Sequence, residues 1–213
     1  LYQDGTSKNY NVAVSGGSDN VNYRLSYSNN TSEGVFKRNS FDKNTITFNG
    51  GGKINDYITA QVSASYSSST RKNPALQGNW DYGNNIGYAL IAYMTRDVDL
   101  NFWKSKYVQP DGTVMGDYPM AGTFFFLDYN NAEMKDNSLI SSIELNGKIF
   151  QNDKFVVDLT GRANFNLYET HGKNWNPDDS NVLTGVARAY YGQSFSSSKS
   201  YTYNTFLHFK HNV

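Results

Sequence analysis

The sequence predicts an all-β fold, a stretch of antiparallel transmembrane β-barrel rather than a complete soluble domain. Three observations predict it. Apolar and polar residues alternate along seven segments, tight and long connections alternate between them, and a polar composition carries many aromatic rings.

Composition narrows the class first. Hydrophobic residues make up 38% of the 213 residues, below the roughly 45–50% of globular chains. Charged residues reach only 18%, and Asn, Ser, Gly and Thr with 17 Tyr and 13 Phe fill the difference. Disordered chains lack aromatics, so disorder is a poor reading. Strands with one apolar and one wet face use this mixture. The formal net charge is zero, from 19 basic and 19 acidic side chains, and no Lys/Arg run suggests a nucleic-acid groove. Cysteine is absent, which excludes disulfides and thiolate metal sites. The longest apolar run, Tyr88 to Met94, is far shorter than the about 20 residues of a spanning helix.

Period-two alternation defines the strands. Strand one covers about Asn9 to Gly16, with Tyr10, Val12 and Val14 on one face. Strand two, about Asn20 to Asn29, sets Val21, Tyr23, Leu25 and Tyr27 against Asn22, Arg24, Ser26 and Ser28. Strand three, Phe41 to Gly52, places Ile46, Phe48 and Gly50 together. Strand four opposes Ile58, Ala60, Val62, Ala64 and Tyr66 to Thr59, Gln61, Ser63, Ser65 and Ser67. Strand five, about Asn137 to Phe150, groups Ile143, Leu145, Gly147 and Ile149. Strand six, about Lys154 to Glu169, runs from Val157 through Leu159, Gly161, Ala163 and Phe165 to Leu167. Strand seven starts near Tyr201 and sets Tyr203, Thr205, Leu207 and Phe209 against a polar face that Phe206 interrupts. The stretch Val186 to Tyr191 reads as a further short strand or as loop.

The connections sort into two kinds. GSDN, KIND and QND are tight polar turns, and KHN follows strand seven. Residues 30–40, about 68–136 and about 170–200 form the long set. Short and long alternate without exception, as periplasmic turns and extracellular loops do in an outer-membrane barrel. Lipid cannot hydrogen-bond a backbone, so each strand must pair in a closed sheet with its apolar face outward. Charges such as Arg24, Glu144, Asp158 and Arg162 fall on the polar face, which expects water or a plug. Seven strands are an odd number, whereas bacterial single-chain barrels usually have an even one. Together with an opening and a close that read as mid-chain, this suggests an excerpt, so 1–213 is expected to be a portion of one barrel domain.

The blocks NYNVAVSGG, VNYRLSYSN, EGV and INDYITA, in that order over strands one to four, resemble the SusC/RagA-like family of TonB-dependent outer-membrane transporters. The likeness continues more loosely through SLISSIELNGKIFQNDKFVVDLTGRANF and YTYNTFLHFKHNV. The resemblance implies a barrel of about 22 strands with a plug inside it, in the bacterial outer membrane. It further implies energised import of large nutrients, with oligosaccharides as cargo or peptides in their place. Implied partners are a SusD-like surface lipoprotein, outer-membrane lipid, and TonB, reached through an N-terminal region. Neither a plug segment nor an N-terminal box for TonB is recognised here, so either the chain is expected to be part of a longer protein or the plug is expected elsewhere.

Candidate sites cluster in the long connections. Trp80, Tyr82, Tyr88, Trp103 and Tyr107 lie after strand four among amides and carboxylates, a mixture that suits sugar stacking, a loop core or a lid-docking surface. Trp80, Tyr82 and Trp103 are the expected substrate contacts, with Trp175 on the next extracellular loop. Ile86, Leu90 and Met94 have helical spacing. Asp178 and Asp179, like Asp97 and Asp99, lack the fuller oxygen set that calcium requires. His208 and His211 fall on opposite sides of a strand. No phosphate loop, serine-nucleophile elbow or metalloprotease motif appears, so neither catalysis nor a cofactor is expected. The alternatives are a small outer-membrane barrel adhesin or enzyme, and a soluble secreted β-rich carbohydrate-binding module.

Overall fold

The computed structural model describes residues 3–74, 99, 101, 131–176 and 190–211. These form one open antiparallel sheet of seven strands, each paired with its neighbour in sequence. The strands are β1 (Thr6–Gly17), β2 (Val21–Glu33), β3 (Ser40–Lys53), β4 (Ile58–Lys72), β5 (Asn131–Gln151), β6 (Phe155–Asn176) and β7 (Tyr190–His211). The fold is all-β and antiparallel, a segment of β-barrel whose two edge strands do not meet.

Asparagine builds two of the tight turns in the same way. The Asn55 side-chain oxygen accepts hydrogen bonds from the backbone N–H of Tyr57 at 2.9 Å and of Ile58 at 2.8 Å. Asn152 does the same for Lys154 at 2.9 Å and Phe155 at 2.7 Å. Each side chain stands in for a turn of backbone and starts the following strand. At the other end Asn73, with φ at 43°, exchanges hydrogen bonds with Ala132 through its N–H and its side-chain oxygen. It thereby closes the base between β4 and β5.

Cross-strand partners share a face, so the register sorts every side chain. One lateral row runs Val12, Tyr27, Ile46, Tyr66, Leu139, Leu167. Two residues further toward the tight turns comes Val14, Leu25, Phe48, Ala64, Ser141, Phe165, Tyr201. Below these, Val62, Ile143, Ala163 and Tyr203 align, then Leu159 with Leu207 and Val157 with Phe209. The apolar face expected from alternation thus extends over the seven strands, interrupted by Ser141 and bounded on β7 by Lys199.

The strands run further than alternation indicates, and only at one end. At the tight turns the expected and observed ends agree within a few residues. At the long connections β4 continues to Lys72, β5 begins at Asn131, β6 reaches Asn176 and β7 begins at Tyr190. Much of the expected loop 170–200 is therefore strand, and residues 73–130 and 177–189 separate the elements. Tyr190 and Tyr191 open β7, while residues 186–189 lie outside the described residues. A second difference concerns Ile149. A bulge between Lys148 and Phe150 makes Phe150, not Ile149, the partner of Val157. Residues across a bulge are counted two against one, which simple alternation cannot anticipate.

Candidate functional site

The sheet is dressed in reverse of a soluble protein. Tyr27, Ile46 and Tyr66 are exposed, while their polar neighbours Ser26, Thr47 and Ser65 are half-buried. Val12 is 71% exposed and Tyr203 76%, so the apolar face has no protein against it among the described residues. On β6 this face is apolar or Gly/Ala from Val157 to Leu167. At a rise of about 3.3 Å per residue and a tilt of about 45° that is roughly 23 Å, close to the apolar band of about 25 Å on outer-membrane barrels.

The band ends abruptly. One row above Tyr27 and Tyr66 the same face carries Asn29, Asn44, Ser68, Asn137 and Glu169. The Tyr27 hydroxyl donates upward to Asn44 Oδ1 at 2.7 Å, and that of Tyr66 reaches Asn137 Oδ1 at 3.5 Å. An apolar ring below and a wet hydroxyl above is the placement tyrosine takes at a membrane–water boundary.

The opposite face is largely polar, with apolar interruptions at Phe41, Met134, Ile140 and Phe206. Its middle rows hold short side chains such as Ser28, Thr45, Ser67, Ser138 and Ser198. Longer charged groups stand at both ends. Near the tight turns Arg162 donates from Nε at 2.8 Å and Nη2 at 2.5 Å to Glu144 Oε2. Asn146 donates to the buried Thr160 hydroxyl at 2.7 Å. Asp158 sits between Lys148 and His208 in register, with Oδ1 buried and unpartnered. A polar concavity of about 690 Å³ lies against this end, lined by Asn22, Asn49, Gln61, Ser63, Glu144 and Arg162 among others.

At the far end, above the band, Arg71 Nη2 lies 2.6 Å from Asp136 Oδ2 and Thr170 donates to Asp136 Oδ1 at 2.8 Å. Burial opposes ionisation of Asp136. Hydrogen bonds from Thr170, Arg71 and Tyr168, with the Arg71 charge, outweigh it and hold the carboxyl below its ordinary value of 3.8. This cluster was not foreseen, because Arg71 and Asp136 both fell inside the expected loop 68–136. The run SSSTRK has polar residues at both parities, so no alternation marked it as strand.

Of the expected contacts, Trp80, Tyr82 and Trp103 lie outside the described residues, as do Tyr88, Tyr107 and the helical spacing of Ile86, Leu90 and Met94. Trp175 is on strand β6 opposite Tyr191, 36% exposed, on the face that carries the apolar band and not on the polar wall. His208 belongs to the polar face, whereas His211 stacks on Phe155 at 4.8 Å on the other. Among the described residues no group of acidic and histidine side chains is arranged to hold a metal ion.

No family model matches the chain. No curated protein matches it either. Among solved structures it is similar to a chain of the RagAB peptide transporter, at 11% identity and a TM-score of 0.48, over 96% of this chain and 30% of that one. It is also similar to a chain of the RagAB peptide importer in its closed-closed state, at 11% identity and a TM-score of 0.45, over 100% of this chain and 31% of that one. The chain thus spans less than a third of the length of these solved chains.

Proposed function

We propose that this chain is part of the wall of a bacterial outer-membrane β-barrel of about 22 strands, which imports large nutrients in the manner of SusC/RagA-like transporters. The reversed dressing of the sheet carries the reading. An exposed apolar face of bilayer height, bounded by tyrosines, backs a polar wall that suits water and solute. A soluble carbohydrate-binding module would leave that face in water, far beyond the few hundred Å² of apolar patch that soluble proteins tolerate. Transport rather than catalysis fits a wall of Ser, Thr and Asn that shows no nucleophile–base pair among the described residues.

The cargo in this reading is an oligosaccharide, with peptide as the alternative. The partners are a SusD-like surface lipoprotein and TonB, acting through the N-terminal region of a longer protein. The segments about 68–136 and 170–200 stand on the outside and contribute to the substrate mouth or lid-docking surface, with Trp80, Tyr82 and Trp103 as the foremost contacts.

Spin labels placed in turn on Val62, Tyr66, Leu159 and Leu207, and on Ser63, Ser65 and Asn164, test the wall. A lipid-soluble quencher is expected to reach the first set and a water-soluble one the second. Equal quenching of both sets by the lipid probe sinks the assignment. Deleting residues 79–107 from the full-length protein is expected to impair uptake or lid association while the barrel still inserts. Uptake and lid binding both unchanged would remove the mouth assignment alone.

A further inference from the structure

Strands β5 to β7 have 21, 22 and 22 residues, against 12 to 15 for β1 to β4. In register, β1–β4 reach the row of Glu133, Lys173 and Gln193, which β5–β7 pass by two to three residues, the rest of their excess lying toward the tight turns. The ends of β5–β7 above the apolar band form a rim. On its outward face, the face of the band, His171 opposes Phe195, Lys173 opposes Gln193 and Trp175 opposes Tyr191. The His171 and Phe195 rings lie 4.7 Å apart. The Gln193 amide donates to the Tyr191 hydroxyl and steadies that ring. Tyr191 is 65% exposed and Phe195 62%. Lys135 is in register with His171, and Lys199 sits level with Leu167 at the edge of the band. Glu133 and Glu169 share the face.

Height decides what can cover these rings. His171 and Trp175 stand four and eight residues beyond Leu167. With about 3.3 Å per residue and about 45° of tilt they lie roughly 10 and 19 Å above the hydrocarbon edge. A phospholipid headgroup layer is only about 5–8 Å deep. Ordinary headgroups therefore fall short of Trp175 and Tyr191. A lipid with a large saccharide head reaches them, and its chemistry suits them: ring faces stack on sugar C–H groups, while Lys135, Lys173 and Lys199 meet phosphates.

We propose that the outward face of the β5–β7 rim binds the phosphorylated sugar headgroup of an outer-leaflet glycolipid. This rests on the outer-membrane reading above. The lipid band continues upward into a saccharide-binding strip, with Lys199 at the membrane edge, Lys135 level with the His171–Phe195 pair, Lys173 above them and the Trp175–Tyr191 pair highest.

The test uses the full-length protein in detergent, given rough-type lipopolysaccharide with core sugars, lipid A without core sugars, or phosphatidylglycerol, with bound lipid counted by native mass spectrometry. Core-bearing lipopolysaccharide is expected to be retained by the native protein. Retention is expected to fall about tenfold in a Trp175→Ala/Tyr191→Ala variant, and by a similar factor in Lys135→Gln/Lys173→Gln. Lipid A without core sugars should bind the native and aromatic variants alike. Unchanged lipopolysaccharide retention in the aromatic variant, or equal retention of phosphatidylglycerol, overturns the proposal. So does loss of a protein partner from that variant with lipopolysaccharide unaffected. In each case normal heat-modifiable mobility of the variant leaves the barrel reading standing, whereas failure of all forms to insert defeats both.

Discussion

Within the apolar band and above it, the same seven-stranded ladder is written in two different sequence styles. Between Val157 and Leu167 every second residue of β6 is apolar, Gly or Ala, and between Tyr168 and Trp175 polar residues occupy both faces, Gly172 and Trp175 apart. The backbone pairing does not change at that boundary: Glu169 bonds into the sheet with Asn137 and Ser197 as Leu167 does with Leu139 and Lys199. Alternation is therefore a record of what lies against each face and not of hydrogen bonding. It exists where one face meets lipid and the other water, and fades where both faces are wet.

The largest break in the comparison comes from a charge placed inside the band. Val62 lies near mid-height, in register with Ile143. Val62→Arg is expected to destabilise the barrel by about 2–4 kcal/mol, because the guanidinium enters hydrocarbon near the midplane. Its neighbour Ser63→Arg should cost far less. Unfolding of the full-length protein from lipid vesicles in urea measures both, and equal losses would contradict the two-face assignment.

Glycine substitutions sharpen the contrast between crowded and open places within the band. A Cβ on Gly52 would stand 2.4 Å from the backbone oxygen of Asn20, which cannot swing aside, whereas one on Gly161 meets nothing within 4 Å. Gly52→Ala is expected to cost about 1–3 kcal/mol as an overpacking defect. Gly161→Ala should be neutral or stabilising by about 0.4–1 kcal/mol, through the lost freedom of the unfolded chain. The same urea titration reads both.

The smallest effect belongs to the region above the band. Asp136 has a folded-state pKa below its ordinary value, so its pairing stabilises the fold above pH 3.8 and is lost as pH falls through the lowered value. Asp136→Asn should flatten the decline of stability below that pH while leaving the neutral range otherwise smooth. An unaltered acid slope in the variant would mean that the Arg71–Asp136–Thr170 cluster contributes nothing at the rim.

How much could be read in advance follows from this division. The face of every residue from Val12 to Val14, Leu25 to Tyr27, Ile58 to Tyr66 and Val157 to Leu167 was legible, since a slip of one residue would turn the apolar set into the lumen. The turns were legible because Asn55 and Asn152 bring their own hydrogen-bond acceptors. The rim was not, because residues such as Ser69, Arg71, Asp136 and Thr170 meet water on either face and leave no periodic trace. Alternation leaves Trp175 in a loop for the same reason. Periodicity puts Ile149 on the apolar face because it counts residues and cannot see a bulge.

That bulge has a consequence for assembly. A ladder of regular period two can slide by two residues and still show lipid and water the correct faces, so the faces alone leave the pairing of two strands partly degenerate. An unpaired residue between Lys148 and Phe150 marks one place on β5 that a translated copy cannot reproduce. Three residues later the Asn152 turn sets where β6 must begin. The β5–β6 hairpin thereby carries its own alignment mark. It can hand that alignment to β4 and β7 as they are laid alongside.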